Sequence, residues 1–398
     1  ATNASAGIHI SEHDSVPLIL FVGQIERGMR ERGAFQEMNY KAFFGSTAKW
    51  VVEIDDAARI PETISRAYHI AMQGRPGPVV ISLPEDMLLD TCTAAIPQRI
   101  EPVETWPGQT QMAELQKMLW AAKKPIAIVG GGGWSDKAVA SMVRFAERFQ
   151  LPVATSFRRA GLFPADHPCY AGEIGIGPNP KLKARIEGAD LVLLIGGRMA
   201  EMPSQSYTLF DIPVPKQKLV HVHADAEELG RVYHPTLGIH ASPRAFAASV
   251  ETLQPPQIIA WADARKAARD EFLAWTDTIP TVPGDFQIGE AVRWLRDRIP
   301  HDTVITNGAG NYAMCGKAYD PRLIVAWPGA KIAVMGGEQA AKTLLQIEKA
   351  SLKAKGENID PEVEKQLLAK ITDCYNSQTT PYYAAARLWV DAIISPMD

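Results

Sequence analysis

The first part of the chain alternates short apolar runs with an amphipathic stretch. Residues 17–23 and 77–84 are apolar runs bounded by proline or glycine, which predicts two buried strands. Between them, residues 61–72 repeat apolar side chains at helical spacing, and Pro61 suits the first turn of a helix. Strand–helix–strand order with uninterrupted apolar runs predicts a parallel sheet that is covered on both faces.

A second unit repeats this order after a segment without periodicity. Residues 91–110 contain Pro97, Pro102, Pro107 and Gly108, and they are interpreted as a linker. Further strands are predicted at residues 124–129, 151–155, 189–197 and 218–225. The helix predicted after the first of these strands has one apolar face, formed by Ala138, Met142, Phe145, Ala146 and Phe149. We therefore predict a Rossmann-like central domain with a parallel sheet at residues 110–275.

A third unit begins in the same style and then changes. Residues 288–299 predict a helix, and residues 303–306 predict a strand that leads into a glycine-rich turn. The tail predicts two further helices, at residues 339–355 and from Pro361 onward, with Asp360 as the cap. Residues 1–307 contain 20 Arg and 11 Lys, whereas residues 308–398 contain 2 Arg and 8 Lys. No fold requires this reversal, which favours two parts of different origin.

Composition narrows the possible partners. The chain has 398 residues and a net charge of −4, so no basic face for nucleic acid or an anionic membrane is expected. No apolar stretch reaches membrane-spanning length. The four cysteines stand far apart, which predicts reduced thiols in a cytoplasmic protein and neither disulfides nor a zinc site. The chain starts on helix-like sequence without a methionine, so we expect that it begins inside a domain.

Several short motifs of the first unit occur together. They are Ala1-Thr2-Asn3, the strand that ends in Gly23-Gln24, the loop Ala34-Phe35-Gln36-Glu37, and Gly74-Arg75-Pro76-Gly77-Pro78-Val79. In this order they resemble the pyrimidine-binding domain of thiamine-diphosphate-dependent enzymes of the acetolactate synthase family. The resemblance continues to about Asn311. It implies a partial pyrimidine-binding domain at residues 1–95 and a stub of the diphosphate-binding domain at residues 283–311.

The resemblance implies a cofactor, a substrate class and site residues. In this family thiamine diphosphate is held with Mg²⁺ between two subunits of a homo-oligomer. Its ylid attacks a 2-oxo acid, and the cofactor is then the electron sink for decarboxylation. Gln24, Phe35 and Gln36 match positions near the reacting centre. The family's activating glutamate has no match here, and its Gly-Asp-Gly metal motif has only the near match Gly284-Asp285-Phe286. We therefore expect a chain that is incomplete and inactive by itself.

Two glycine turns and an acidic residue mark a candidate nucleotide site in the central domain. Gly131 and Gly132 follow a predicted strand and precede a helix, where backbone NH groups can meet phosphate. Gly196-Gly197-Arg198 forms a second loop, and Asp225 at a strand end can accept hydrogen bonds from ribose hydroxyls. Because this domain binds FAD in some members of the family and no ligand in others, FAD or ADP is a candidate ligand.

Two histidines in this domain raise the question of a metal site. His221 and His223 stand two positions apart in a predicted strand, so both side chains face the same side. Two imidazoles at this spacing can bind a metal, but only Asp225 accompanies them. The family carries ordinary strand residues at these positions. We therefore expect structural histidines and no metal.

The tail resembles a different family. Residues 308–319, 327–328, 334–341 and 381–389 resemble the C-terminal part of the carboxyltransferase β subunit of biotin-dependent acyl-CoA carboxylases, most like that of methylcrotonoyl-CoA carboxylase. The resemblance implies a crotonase-like α/β fragment at residues 312–398. In that fold the backbone NH groups of a Gly-Gly turn stabilise an oxyanion, a role that Gly336 and Gly337 match.

The two resemblances meet at residues 308–312, a stretch that both families can carry, and this predicts a chimera of two gene fragments. Three functions stay open. The first is an acetolactate synthase-like chain acting on 2-oxo acids, the second is a carboxyltransferase fragment that docks biotin or a partner subunit, and the third is a module that binds only FAD or ADP.

Overall fold

The computed structural model describes residues 2–279, 281, 287–300, 325–326, 341, 345, 361–386 and 392–393. By their contacts the residues form two units, 1–281 and 282–398. The strands of the first unit are Leu18–Gln24 (β1), Trp50–Glu53 (β2), Pro78–Pro84 (β3), Pro125–Val129 (β4), Val153–Ser156 (β5), Tyr170–Ile174 (β6), Leu191–Ile195 (β7), Lys218–His223 (β8) and Leu237–His240 (β9). Its helices are Ser5–Asp14 (α1), Tyr40–Phe44 (α2), Ile60–Met72 (α3), Gln109–Ala121 (α4), Asp136–Phe149 (α5), Pro180–Glu187 (α6), Pro243–Ser249 (α7) and Ala262–Asp277 (α8).

The central sheet has the order β6-β5-β4-β7-β8-β9, and every pair in it is parallel. Each strand alternates its side chains between the two faces, and both faces are covered. In β4, Ala127 and Val129 pack with Phe145 and Phe149 of α5, whereas Ile126 and Ile128 pack on the other face with side chains of α6 and α8. The α/β fold with a Rossmann-like parallel sheet is therefore confirmed.

A smaller sheet lies in residues 18–84, with the order β1-β3-β2 and parallel pairs. Val79 and Ile81 of β3 pack against α3, and Val80 packs on the opposite face with Ile8 of α1 and Phe44 of α2. The fold of this part is thus also an α/β layer. Its core contains far fewer side chains than the core of the central sheet.

The predicted strands are present with ends that differ by at most two residues, and the predicted helix at residues 61–72 begins at Ile60. The sequence did not predict β2, β6 or β9, which all lie at sheet edges. All three are only four or five residues long, and Glu53, Glu173 and His240 leave them without the longer apolar run that marks a central strand. Of residues 91–110, predicted as a linker, residues 91–108 contain neither helix nor strand, and helix α4 begins at Gln109.

The second unit is described only in parts. The predicted helix at residues 288–299 extends over Ile288–Arg296 (α9), and the helix predicted from Pro361 extends over Pro361–Gln378 (α10). A short helix, Pro381–Ala385 (α11), follows it, and Val325–Ala326 (β10) pairs in parallel with Ala392–Ile393 (β11). The predicted strand at residues 303–306, the junction at 308–312, the near match at 284–286 and Gly336-Gly337 lie outside the described residues.

Candidate functional site

A cleft of about 520 Å³ opens at the carboxyl edge of the central sheet. Strands β4 and β7 are neighbours, and the chain continues from them in opposite directions, through β5 and β6 on one side and through β8 and β9 on the other. Ligands of open α/β sheets bind in the crevice that such a reversal leaves. The wall comes from the segments after β4, β5 and β7 and from the end of α1, and it includes Gly131, Arg158, Gly197 and His13.

The two predicted glycine turns lie back to back beside this cleft. A Cβ atom on Gly131 would lie 1.8 Å from the carbonyl oxygen of Gly196, and one on Gly196 would lie 2.6 Å from that of Gly130. Gly131 and Gly196 also have φ values of 69° and 72°, in the region that favours glycine. The NH of Gly130 donates to Ile195 O at 3.0 Å. Close backbone packing thus requires these glycines whether or not phosphate binds.

The end of α1 covers part of the glycine turn. A Cβ atom on Gly132 would lie 2.0 Å from Ser15 O, directly after that helix. The last carbonyls of a helix lack partners within it, and here arginine side chains bind them. The pairs are Arg75 with Glu12 O, Arg198 with His13 O at 2.8 Å, and Arg159 with Asp14 O. These cations also oppose the negative end of the helix dipole.

One buried carboxylate lies close to two of these arginines, Arg75 and Arg198, and to Arg231. Glu228 lies 3.0 Å from Arg231, 3.4 Å from Arg75 and 3.7 Å from Arg198. Burial lowers the pKa of Arg198, the positive charge of Arg75 acts in the same direction, and Glu228 acts against both. Because a buried charge needs a partner, Glu228 holds the guanidinium groups of Arg198 and Arg231, which line the cleft, and also contacts Arg75, which does not line it.

Backbone strain is concentrated around the same cleft. Ser15, Arg158, Met199 and Tyr207 line it, and all four have φ values between 47° and 61°. Tyr207 is the last of three successive left-handed residues, and its NH is held by Ser204 Oγ at 3.0 Å. Each such residue costs about 1–3 kcal/mol and is typical of functional sites, where the surroundings enforce it. The strain is an independent mark of this cleft.

Of the two predicted structural histidines, His221 supports the second glycine turn and His223 holds the turn after β8. His221 and His223 are both buried. His221 Nε2 donates to Gly197 O at 3.0 Å, and His223 Nδ1 accepts from the NH of Asp225 at 3.1 Å. Burial, with a smaller effect of His223, lowers the pKa of His221 to about 4. Both rings therefore stay neutral at pH 7 and act as fixed hydrogen-bonding groups.

The residues predicted near the reacting centre lie at the carboxyl edge of the smaller sheet. Gln24 is buried, its Nε2 donates to Met38 O at 2.7 Å, and its Oε1 accepts from the NH of Ile25 at 3.1 Å. Phe35 is 90% exposed, and Gln36 is exposed on left-handed backbone with a φ of 67°. None of the three lines the cleft of the central sheet.

The cleft brings together some of the predicted nucleotide-binding residues and separates others. Gly131, Gly197 and Arg198 line it, whereas Gly132, Gly196 and Asp225 do not. Asp225 Oδ1 accepts from the NH of Glu227 at 3.0 Å and so caps the turn after β8.

Sequence reasoning missed most of the cleft residues, and four of them, Arg158, Arg159, Tyr207 and Glu228, show why. For the first two a signal was present, because they directly follow β5, and residues just beyond the carboxyl ends of parallel strands often form sites. Tyr207 and Glu228 lie in loops, and only the folded chain brings them to the cleft.

The part of the chain that the structure describes contains neither a metal cluster nor a membrane-spanning helix. No group of three His, Cys, Asp or Glu side chains in that part of the chain could hold a metal ion. No described helix combines the length and apolarity needed to cross a membrane. The described Cys92, Cys169 and Cys374 are free thiols, and burial raises the pKa of Cys169 to about 11.

Comparison with known families identifies two separate stretches. Residues 112–250 match the central domain of thiamine pyrophosphate enzymes. Residues 297–398 match the carboxyl transferase domain. Both resemblances inferred from the sequence motifs are confirmed.

Individual relatives agree with the first match. An acetolactate synthase large subunit of Corynebacterium glutamicum is 27% identical over 79% of this chain and 51% of its own length. An acetolactate synthase of Mycobacterium bovis is 30% identical over 62% of this chain and 40% of its own length. A glyoxylate carboligase of Escherichia coli O157:H7 is 28% identical over 61% and 41%. The chain spans about half the length, or less, of these relatives. Residues 112–250 are thus similar to the central domain of thiamine pyrophosphate enzymes, and residues 297–398 are similar to the carboxyl transferase domain.

Proposed function

We propose that residues 2–279 are the pyrimidine-binding and central parts of a thiamine-diphosphate-dependent protein whose parent reaction joins or decarboxylates 2-oxo acids. The match of residues 112–250 to the central domain of such enzymes carries this proposal, and relatives named acetolactate synthase and glyoxylate carboligase support it. Because the chain spans only part of those relatives, the reaction is proposed for the parent protein. It is not assigned to this chain alone.

The described residues do not fit a complete site for thiamine diphosphate. Both polar atoms of the Gln24 amide already have backbone partners, and Phe35 points its ring into solvent. We therefore propose that this chain does not turn over 2-oxo acids by itself, and no catalytic step is assigned to its residues.

An activity assay tests this proposal. The purified chain is incubated with pyruvate, thiamine diphosphate and Mg²⁺, and acetolactate and released CO₂ are measured beside a complete acetolactate synthase. We expect no product above the level of the Gln24→Ala variant. Turnover that disappears in Gln24→Ala would contradict the proposal, because it would place a working centre at that strand end.

The cleft favours a second candidate function, which is binding of ADP or of the ADP moiety of FAD. Its volume lies in the range of small-molecule sites, about 300–1,000 Å³. Arg158 and Arg231 keep partly exposed guanidinium groups there, although each already meets one carboxylate, Asp14 or Glu228. The ring of Tyr207 is 43% exposed at the same wall and offers a surface for a base.

Calorimetric titration with ADP and with FAD tests the second candidate. Charged hydrogen bonds contribute about 1.5–3 kcal/mol, so we expect Arg158→Ala and Arg231→Ala each to weaken binding by roughly 10- to 100-fold. Arg144→Ala is the matched control, since that arginine also pairs with a carboxylate, Glu251, but does not line the cleft. Equal affinities for all variants, or no binding by the wild-type chain, would reject this function.

Other parts of the family interpretation remain proposals. We infer a homo-oligomer in the cytoplasm with a 2-oxo acid as the small-molecule partner of the parent protein. Light scattering of the purified chain tests the oligomer, and a monomer at all concentrations would contradict it. The carboxyltransferase alternative rests on the match of residues 297–398, and its oxyanion turn Gly336-Gly337 lies outside the described residues.

A further inference from the structure

Helix α1 carries two histidines on one exposed face. His9 and His13 are four positions apart, and their ring centroids are separated by 4.3 Å. Residues at this spacing are neighbours on a helix surface. Both side chains are exposed, and both line the rim of the cleft. Neither has a part in the thiamine or nucleotide function proposed above.

We propose that His9 and His13 together bind one divalent transition metal ion of the Cu²⁺, Ni²⁺ or Zn²⁺ class. The neutral imidazole nitrogen is a preferred ligand of these ions, and their affinities at one site follow the order in which Cu²⁺ is strongest. Because no group of three ligating side chains is assembled among the described residues, water molecules complete the coordination sphere. Helix α1 is continuous from Ser5 to Asp14, so the backbone holds the two rings one turn apart.

The charges around the pair favour a cation on one side. Glu12 Oε2 lies 3.6 Å from His13 Nε2, while Glu12 Oε1 is held by Arg75 at 2.9 Å. Arg75 thereby orients the carboxylate so that its other oxygen is turned towards His13. From there it can accept a hydrogen bond from metal-bound water and offset part of the ion's charge. On the other side, Arg198 donates to the His13 carbonyl at 2.8 Å and disfavours a cation.

A divalent ion at this position also affects helix α1. It links two turns of the helix. Arg75, Arg198 and Arg159 already bind the carbonyl groups at the end of this helix. Anything that binds only the folded helix stabilises it by mass action. We therefore expect the amides of residues 9–14 to exchange more slowly with solvent when the metal is bound.

Titration of the full chain, free of any affinity tag, with Cu²⁺ and with Ni²⁺ tests the proposal. Calorimetry and visible absorption of the bound ion give the affinity and the stoichiometry. We expect one bound ion per chain and tighter binding of Cu²⁺ than of Ni²⁺. Loss of even an outer-shell partner of a metal site weakens binding about 10- to 100-fold, so His9→Gln and His13→Gln should each weaken it at least about tenfold.

His69→Gln is the matched control, because His69 lies on α3 with no histidine one turn away and bonds to Gln73 instead. This variant should bind the metal as the wild-type chain does. All three histidines lie at least partly in solvent, and circular dichroism verifies that each variant is folded. The proposal is overturned if the wild-type chain binds no ion, or if the double variant at positions 9 and 13 binds it unchanged. The metal alone is the probe, so the result is independent of nucleotide binding.

Discussion

The two parallel sheets of residues 2–279 differ in how completely they are covered. In the central sheet β4 and β7 are buried at every position, and large side chains fill both faces. In the smaller sheet β2 is only half-buried throughout. The same alternation of strands and helices thus forms a large core around the central sheet and only a thin one around the smaller sheet. Local sequence sets the type of an element, but its burial depends on how many partners surround it.

The edges of the two sheets show the same difference. Strand β6, at one edge of the central sheet, is mostly buried because α8 packs along it. Strand β1, at the edge of the smaller sheet, leaves Phe21 52% exposed. Protected edges prevent pairing with other chains, whereas an apolar open edge invites it. The smaller sheet is therefore expected to be less stable than the central sheet and more prone to pair with other chains.

The largest expected effect comes from removing one buried aromatic ring from a helix that packs on each sheet, which is Phe145 of α5 or Phe44 of α2. Phe145→Ala and Phe44→Ala should each cost about 3–5 kcal/mol, because both side chains are fully buried. The loss should spread through the central sheet for Phe145→Ala, whereas Phe44→Ala should open only the smaller sheet. Hydrogen exchange of the amides in β1 and β4 distinguishes the two. Equal loss of protection in β4 for both variants would mean that the sheets unfold as one.

The next effect concerns the glycine turns, where Gly131→Ala adds a Cβ against Gly196 O. We expect roughly 1–3 kcal/mol from overpacking in addition to roughly 1–2 kcal/mol from the left-handed backbone. Gly133→Ala is the control, because Gly133 has a φ of 79° but no atom closer than 4.0 Å to the added Cβ. Urea denaturation should show the larger loss for Gly131. Equal losses would contradict the packing explanation of the glycine pattern.

A smaller effect should depend on pH. The pKa of His221 is about 4 in the folded chain, against an ordinary value of 6.5. The unfolded chain therefore takes up this proton first as the pH falls, so stability that is complete above about pH 6.5 is lost between pH 6.5 and 4, by up to roughly 3 kcal/mol. Urea midpoints at several pH values should fall more steeply for the wild-type chain than for His221→Gln. Parallel curves would show that another group governs the acid sensitivity.

The smallest effect on stability is expected at the open edge. Phe21→Lys changes an exposed side chain, so the free energy of unfolding should shift by no more than about 0.5 kcal/mol. A lysine on an edge strand hinders pairing with other chains. Light scattering over time should therefore show slower aggregation of Phe21→Lys than of the wild-type chain. If both aggregate equally, another surface is responsible.

Much of the central domain followed from local pattern. The helix face predicted from Ala138, Met142, Phe145, Ala146 and Phe149 is buried at all five positions in α5. The predicted strands are present because continuous apolar runs between glycine or proline have few alternatives to a buried strand. The short edge strands β2, β6 and β9 were missed, because a polar residue interrupts or ends each of their apolar runs. The placement of Gln24, Phe35 and Gln36 near a reacting centre stays a prediction.

The sequence by itself determined the strand–helix order, the buried faces and the two family resemblances, because each depends on neighbours within one element or one motif. Only the tertiary structure decided the cleft. Beside it, Arg75, Arg159 and Arg198 bind carbonyl groups at the end of α1. Glu228 pairs with Arg75 and Arg198. These residues come from distant segments, so no local period connects them. Their positions follow from where the parallel strands end and from the need of buried charges and helix-end carbonyls to find partners.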